Sequence, residues 1–454
     1  MEIPQVDWRT DDLDQFLKGL RERLSPDGDI VSSQSQELTL RVFGEPLSPQ
    51  QVVQRICQDV RMEGLPALLR YTRELDGVSL RGEEIRVPKS EMQVAHETVD
   101  PLFLESIRSI RSNLVAFQTA ILHSDISLEP RPGVRLAQRY TPLKRVGICV
   151  PGGAAAYPSS VLMTAVPAQA AGVRDLVVVA PPTEFGSYNR DVLATCFELG
   201  IDSVYRLGGA QAVAALAFGV EGLEPVDKIV GPGNLFVALA KKQVYGHVDI
   251  DSIAGPSEIL VIADQTADPR YVAADLLAQA EHSPGSSILL TTDEGLIAGV
   301  LLALRKYLDE LSRSDLAVAS LNQYSALVLV QDMNQAVAFA NRMAPEHLHL
   351  QTESPNEWVP RLTTAGAVFV GHQTPVALGD YVAGPSHVLP TGATARWASG
   401  LSSNDFLRPS SVIEYDQSGL DIDGIHAQRV AGKEGLTAHQ LSVRVRMKGD
   451  ASDE

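Results

Sequence analysis

The chain has 454 residues, too many for one ordinary core, and 44% of them are hydrophobic. A formal net charge of −18 excludes the basic face that a nucleic-acid partner requires. The three cysteines, Cys57, Cys149 and Cys196, are too few and too scattered for a disulfide framework or a thiolate metal site, and no apolar run is long enough to span a membrane. The opening, Met1 to Trp8, lacks the basic and apolar regions of a signal peptide, so a cytoplasmic protein is expected, or an organellar or plastid one already trimmed.

Asp12 to Leu24 predicts a short amphipathic helix, too small to fold alone, that docks on something else. Residues 49–75 and 100–124 predict long helices, with Leu65, Leu68, Leu69 and Tyr71 on the buried face of the first and Leu104, Ile107, Ile110 and Leu114 on that of the second. Gly82 to Lys89 predicts a turn and a strand. From Arg145 the texture becomes strand, glycine turn, helix, repeated. The strands are Val146–Val150, Asp175–Ala180, Ser203–Leu207 and Asp227–Val230, and the helices follow from Ser159, Asp191, Gln211 and Asn234. That alternation signifies a parallel α/β sheet. A second series begins at Ser257–Ala263. It adds strands Ser287–Thr291, Ala326–Val330 and Ala365–Val370, and helices over 271–282, 295–311 and 334–343. The number of strands favours two separate α/β domains over one large sheet. No internal repeat or low-complexity tract is visible. The chain from about Leu401 is mixed, and its end, Lys448–Glu454, is expected to fray.

Two segments carry candidate chemistry. The helix ending in Gln279-Ala-Glu-His282 starts at Asp268-Pro269 and stops at Pro284-Gly285. On it Gln279 and His282 sit three apart, so their side chains can meet. Met343-Ala-Pro-Glu-His347 sets a carboxylate, Glu346, beside an imidazole. Asp380, in Leu378-Gly-Asp-Tyr381, can cap a helix or ligate a metal. His439, in Leu436-Thr-Ala-His439, is a surface residue or a ligand. Together Gln279, His282, Asp380 and His439 would make a mixed nitrogen and oxygen site with no thiolate, a type that suits an open zinc site. Pro151-Gly-Gly153, Gly208-Gly-Ala-Gln211 and Gly231-Pro-Gly-Asn234 stand at the carboxyl ends of successive strands, where open α/β sheets bind ligands. They either admit a phosphate or simply make tight turns, and the usual dinucleotide fingerprint is absent.

These segments, in this order, resemble the histidinol dehydrogenase family from about residue 30 to about 447. The motifs are Val150-Pro-Gly-Gly, Leu207-Gly-Gly-Ala-Gln, Gly231-Pro-Gly-Asn, Ala254-Gly-Pro-Ser-Glu, Gln279-Ala-Glu-His, Ala344-Pro-Glu-His-Leu, Leu378-Gly-Asp-Tyr and Leu436-Thr-Ala-His. The resemblance implies oxidation of L-histidinol to L-histidine through the aldehyde, with NAD as hydride acceptor and one zinc per subunit. It implies that Gln279, His282, Asp380 and His439 hold zinc. His347 would be the base for the hydroxyl proton and Glu346 the base that activates water. Ser257 and Glu434 would touch substrate, with Gln279, His282, His347, Asp380 and His439 also facing it. Gln211 and Asn234 would touch NAD. It further implies a homodimer in which the C-terminal segment, with Glu434 and His439, completes the partner's site.

The fold implied is two Rossmann-like parallel-sheet domains with small N- and C-terminal dimerisation segments. The boundaries are 1–30 for the N-terminal segment, 31–148 plus 258–400 for the metal and catalytic domain, 149–257 for the NAD domain and 401–454 for the C-terminal segment. Two positions depart from the family: Cys149 stands where tyrosine is common as an NAD contact, and Ser386 where asparagine is common. Three alternatives remain open to a sequence reading. They are a relative oxidising another small alcohol such as a sulfonated diol, a thiol-dependent aldehyde dehydrogenase, and a two-domain binder without catalysis.

Overall fold

The computed structural model describes residues 1–9, 13–24, 39–153, 155–282 and 284–447. The fraying expected of Lys448–Glu454 and part of the N-terminal segment, 10–12 and 25–30, lie outside them. Apolar runs in the middle of the chain become two parallel sheets, and a third, antiparallel sheet stands apart.

One sheet has five parallel strands in the spatial order Ser203–Arg206, Asp175–Ala180, Arg145–Cys149, Lys228–Val230, Asp249–Ile250. Chain order therefore reverses direction between Arg145–Cys149 and Lys228–Val230. That is the crevice where doubly wound sheets accept ligands. Apart from the short edge strand Asp249–Ile250, the strands are buried almost throughout, as parallel strands covered on both faces must be.

The second sheet has six parallel strands, ordered Gln5–Asp7, Ala326–Leu329, Gly285–Thr291, Ser257–Ala263, His347–Gln351, Ala367–Val370. The N-terminal segment docks here. Gln5–Asp7 adds an edge strand, and Leu17 and Leu20 of the helix Leu13–Leu24 join a core with Leu260, Ile262 and Phe339.

The helices of residues 49–120, expected in one domain with residues 258–400, pack instead on the five-stranded sheet. Val52, Ile56, Val60, Leu68 and Tyr71 share a core with Val177, Val179 and Leu207 on one face of the five-stranded sheet. Met92, Leu104, Ile107 and Leu114 share one with Val146, Ile148 and Val178 on the other. Residues 49–120 therefore cover the five-stranded sheet, because its two apolar faces need covering and these amphipathic helices supply the cover. The single helix expected over 49–75 breaks at Gly64, whose φ of +67° no helix continues through. Where a turn and a strand are expected over Gly82 to Lys89, the chain makes a single 3-10 turn, Gly82–Glu84, and one antiparallel bridge from Arg86 to Tyr205, and the helix Lys89–Thr98 follows.

The antiparallel sheet orders Leu407–Tyr415, Val134–Pro142 and Ile126–Arg131. The helices Gln417–Lys433 and Thr437–Arg444 follow it and pack on each other. Their outer face leaves Ile422, Val430, Leu436, Leu441 and Val445 exposed.

Candidate active site

Ser257, Gln279, Glu346 and His347 lie at the amino edge of the six-stranded sheet. Ser257 and His347 are the first residues of neighbouring strands, Ser257–Ala263 and His347–Gln351. The helix Pro269–Ala280 runs against the strands, so its last turn, with Gln279, ends at the same edge. Asp268 caps its start through the Arg270 N–H and Pro269 occupies the first turn, as the sequence suggests. His282 differs from expectation. It lies past the helix end, and its N–H donates to the Gln279 carbonyl at 3.3 Å, a tightened turn that carries the ring around. The residues 251–256 join the carboxyl end of the five-stranded sheet to this amino edge, so the two ligand-facing edges are covalent neighbours.

Glu346 and His347 are both buried, at 5% and 4% exposure. Their partners come from the neighbouring strand. The Glu258 N–H donates to Glu346 Oε2 at 3.0 Å, and His347 Nδ1 lies 3.1 Å from the Glu258 carbonyl oxygen. The other ring nitrogen, Nε2, faces Asp380 Oδ1 at 3.7 Å. Burial pushes the Glu346 carboxyl up to about 8. The Glu258 N–H and the Ser257 hydroxyl oppose that shift, and the charge of Asp380 adds to it. Burial lowers the His347 pKa, against the pull of Asp380. Asp380 itself is raised by burial and restrained by His347.

Two further groups, absent from the sequence reading as functional residues, complete this shell. Glu258 is buried, its carboxyl pushed up to about 8 by burial with Glu346 close by, and its Oε1 accepts from the Gly392 N–H at 2.9 Å. His387 holds the Asp380 carbonyl through Nδ1 at 2.9 Å. Burial takes its pKa down to about 4, with His347 and His282 adding to the shift. Ser386, beside it, is buried and donates to the Met163 carbonyl at 2.8 Å, tying this loop to the five-stranded sheet's cover. The motif Ala254-Gly-Pro-Ser-Glu ends in Glu258 without giving it a task, and nothing local marks His387. The Glu258 contacts span 88 and 134 residues, separations that only the fold closes, whereas His387 reaches back seven residues to Asp380.

Gln279 is buried and its Nε2 has no partner, so the amide waits for one. Amide oxygen and nitrogen are interchangeable by a flip, which would turn a carbonyl oxygen into the same space. His282 is open to solvent by surface area, although protein packed about the ring, with His347 near, lowers its pKa. His439 and Glu434 are both exposed on the C-terminal helices, which pack on each other and on the antiparallel sheet. Among the described residues no three histidine, cysteine, aspartate or glutamate side chains are grouped closely enough to hold an ion. His347 stands between Asp380, at 3.7 Å, and His282, and among the described residues no hydrogen bond or ion pair joins His439 to either.

The glycine turns lie at the carboxyl edge of the five-stranded sheet. Gly231 adopts φ +104°, and a Cβ there would sit 2.3 Å from the Cys149 carbonyl oxygen. The turn is braced from below. Asp251 accepts from the Gly231 N–H at 2.7 Å, and the buried Lys241, ion-paired with Asp251, donates to the Gly231 carbonyl at 3.1 Å. Asn234 caps the next helix through the Val237 N–H and is exposed. Gln211 is buried, donates to Asp76 at 3.0 Å, and leaves its Oε1 without a partner. Cys57, Cys149 and Cys196 are buried and burial pushes each thiol up to about 12, so none is poised as a nucleophile.

Comparison with known proteins meets this geometry. The family described as histidinol dehydrogenase matches residues 45–447. A histidinol dehydrogenase of Rhodopirellula baltica is 59% identical over 432 residues, 95% of this chain and 94% of that one. One of Moorella thermoacetica is 47% identical over 395 residues, covering 87% and 93%. The crystal structure of histidinol dehydrogenase from Elizabethkingia anophelis superposes with a TM-score of 0.87 at 34% identity, covering 98% of each chain. The chain belongs to the histidinol dehydrogenase family, oxidoreductases of histidine biosynthesis.

Proposed function

We propose that the protein oxidises L-histidinol to L-histidine through L-histidinal, by two hydride transfers to NAD at a zinc-holding site shared between two copies of the chain. The observation that carries the reading is the buried Glu346–His347 pair, whose two side chains are given different tasks by their partners. The Glu258 carbonyl can only accept, so His347 keeps its proton on Nδ1 and presents Nε2 as the basic nitrogen. Burial holds the ring neutral, ready to take the hydroxyl proton as hydride leaves. Glu346 is held protonated below about 8. Once ionised, in a water-poor pocket, it is a strong enough base to draw a proton from the water that adds to the aldehyde.

Gln279, His282 and Asp380 fit a zinc ion by donor type, and the unpartnered amide of Gln279 supports placing it there. His439 of a second copy would supply the remaining protein ligand. When bound, the ion would fix the imidazole and amino nitrogens of the substrate. Ser257, whose hydroxyl helps hold the Glu346 carboxyl down, would touch the reacting end, and Glu434 of the second copy would suit the cationic end. Gln211, with its free Oε1, and Asn234 would contact NAD at the carboxyl edge. Cys149 lies buried in the core and would offer NAD no side-chain contact. The exposed apolar face of the C-terminal helices supports a homodimer. Among the described residues no helix is long and apolar enough to cross a membrane, and a cytoplasmic location goes with this reading.

The test separates the half-reactions. Glu346→Gln is expected to lose oxidation of L-histidinal far more than oxidation of L-histidinol, whereas His347→Asn abolishes both. Equal, small effects of both substitutions on both steps would end the assignment.

A further inference from the structure

Asp380 sits on a helix of five residues, Ala377–Tyr381. A helix that short has no stability of its own, so its position is imposed by contacts elsewhere. Those contacts come from a buried polar cluster beneath the site. Asp275 and Gln279 are one turn apart on the helix Pro269–Ala280 and share a face. His347, His349 and Gln351 alternate along one strand and share a face too. The residues nearer the edge, Gln279 and His347, reach the site. Those one step deeper meet each other: His349 Nδ1 lies 2.9 Å from Asp275 Oδ2, and Gln351 donates to the same oxygen at 3.0 Å.

This cluster grips both ends of the loop that leads into the Asp380 helix. His349 Nε2 lies 3.0 Å from the Gly371 carbonyl oxygen, at the loop's start. The Val376 N–H, immediately before the helix, points to Asp275 Oδ1 at 3.4 Å. Asp275 and His349 side chains are 7% and 1% exposed, so neither contact competes with water. Phe369 packs against both His347 and His349, and a Cβ at Gly379 would strike its ring at 2.5 Å, which fixes the height of the helix above the sheet.

We propose that Asp275 and His349 are positioning residues that set Asp380 for metal binding, one layer below the ligands. The inference rests on the reading that Asp380 holds zinc with Gln279 and His282. Neither residue touches substrate or metal. Each acts through the loop 371–376, and Asp275 also braces the helix that ends in Gln279.

The test is zinc retention against a competing chelator, with KM for L-histidinol as a second readout, on the full-length dimer. Removing one partner leaves the other buried without its hydrogen bond and can cost the fold. The informative variant is therefore the apolar double, Asp275→Leu with His349→Phe, compared with Leu350→Ala, a buried residue of the same strand outside the cluster. The double variant is expected to melt cooperatively, to lose zinc affinity by roughly tenfold or more as outer-layer substitutions do, and to raise KM. Leu350→Ala is expected to lower Tm without moving either readout. Zinc affinity and KM of the double variant within twofold of the parent would overturn the proposal. A parent protein that binds no zinc would instead overturn the zinc reading, and this inference with it.

Discussion

At the residue scale, the site is governed by what Glu258 does to its neighbours. Its N–H and carbonyl serve Glu346 and His347 in turn, and its own carboxyl stays buried. The account predicts a pH dependence. Glu346 must lose a proton to act as base, so formation of acid from aldehyde should rise with pH through about 8. His347, with its pKa lowered, should impose no loss over that range. Rates of the second half-reaction from pH 6 to pH 10 check this, and a rate that falls across the range would contradict it. Glu346 and His347 were legible in sequence because the pair is adjacent. Glu258 was not, because its contact to Glu346 spans 88 residues and exists only through strand pairing. The expectation that Gln279 and His282 share a helix also failed locally. The helix ends at Ala280, and a turn delivers His282 instead.

At the element scale, the parallel strands were legible because each is a short apolar run between glycine turns. The strand Ile126–Arg131 was not, since every residue of it is exposed and no buried face disciplines its pattern. The helix Ser314–Tyr324 was missed for a related reason: it buries only Ala317, Ser320 and Leu321. Two predictions belong here. Gly231→Ala puts a Cβ into the Cys149 carbonyl at a positive φ. It should raise KM for NAD by roughly tenfold, the equivalent of about 1–2 kcal/mol of backbone strain, with a smaller change in kcat. The second concerns Glu198, which joins the helices Lys89–Thr98 and Arg190–Glu198. Arg108, helped by His96, holds its carboxyl down at about 2, against an ordinary 4.5. A depressed carboxylate stabilises the fold above its unfolded pKa and loses that contribution as pH falls. Glu198→Gln should therefore cost about 1–2 kcal/mol near neutrality, allowing for screening at the exposed Arg108. In urea melts the difference should fade between pH 4.5 and about 2.

At the scale of the whole molecule, the amino edge of one sheet adjoins the carboxyl edge of the other through the residues 251–256. Sequence motifs located both edges and could not show that they meet. Nor could they assign residues 49–120, whose amphipathic faces fit either sheet until the cores are seen. The exposed positions of Glu434 and His439 lead to a prediction about assembly. His439→Ala and His347→Asn should each be inactive alone. Mixed, unfolded and refolded together, they should regain about one quarter of parental activity, because half the dimers carry one intact shared site. A mixture that stays inactive would place each site within one chain.

The most direct measurement of the central claim is the NADH formed per molecule of L-histidinol consumed, before and after chelation. The account predicts two NADH per substrate, activity lost to the chelator and restored by zinc. One NADH with released aldehyde, or turnover indifferent to chelation, would contradict it.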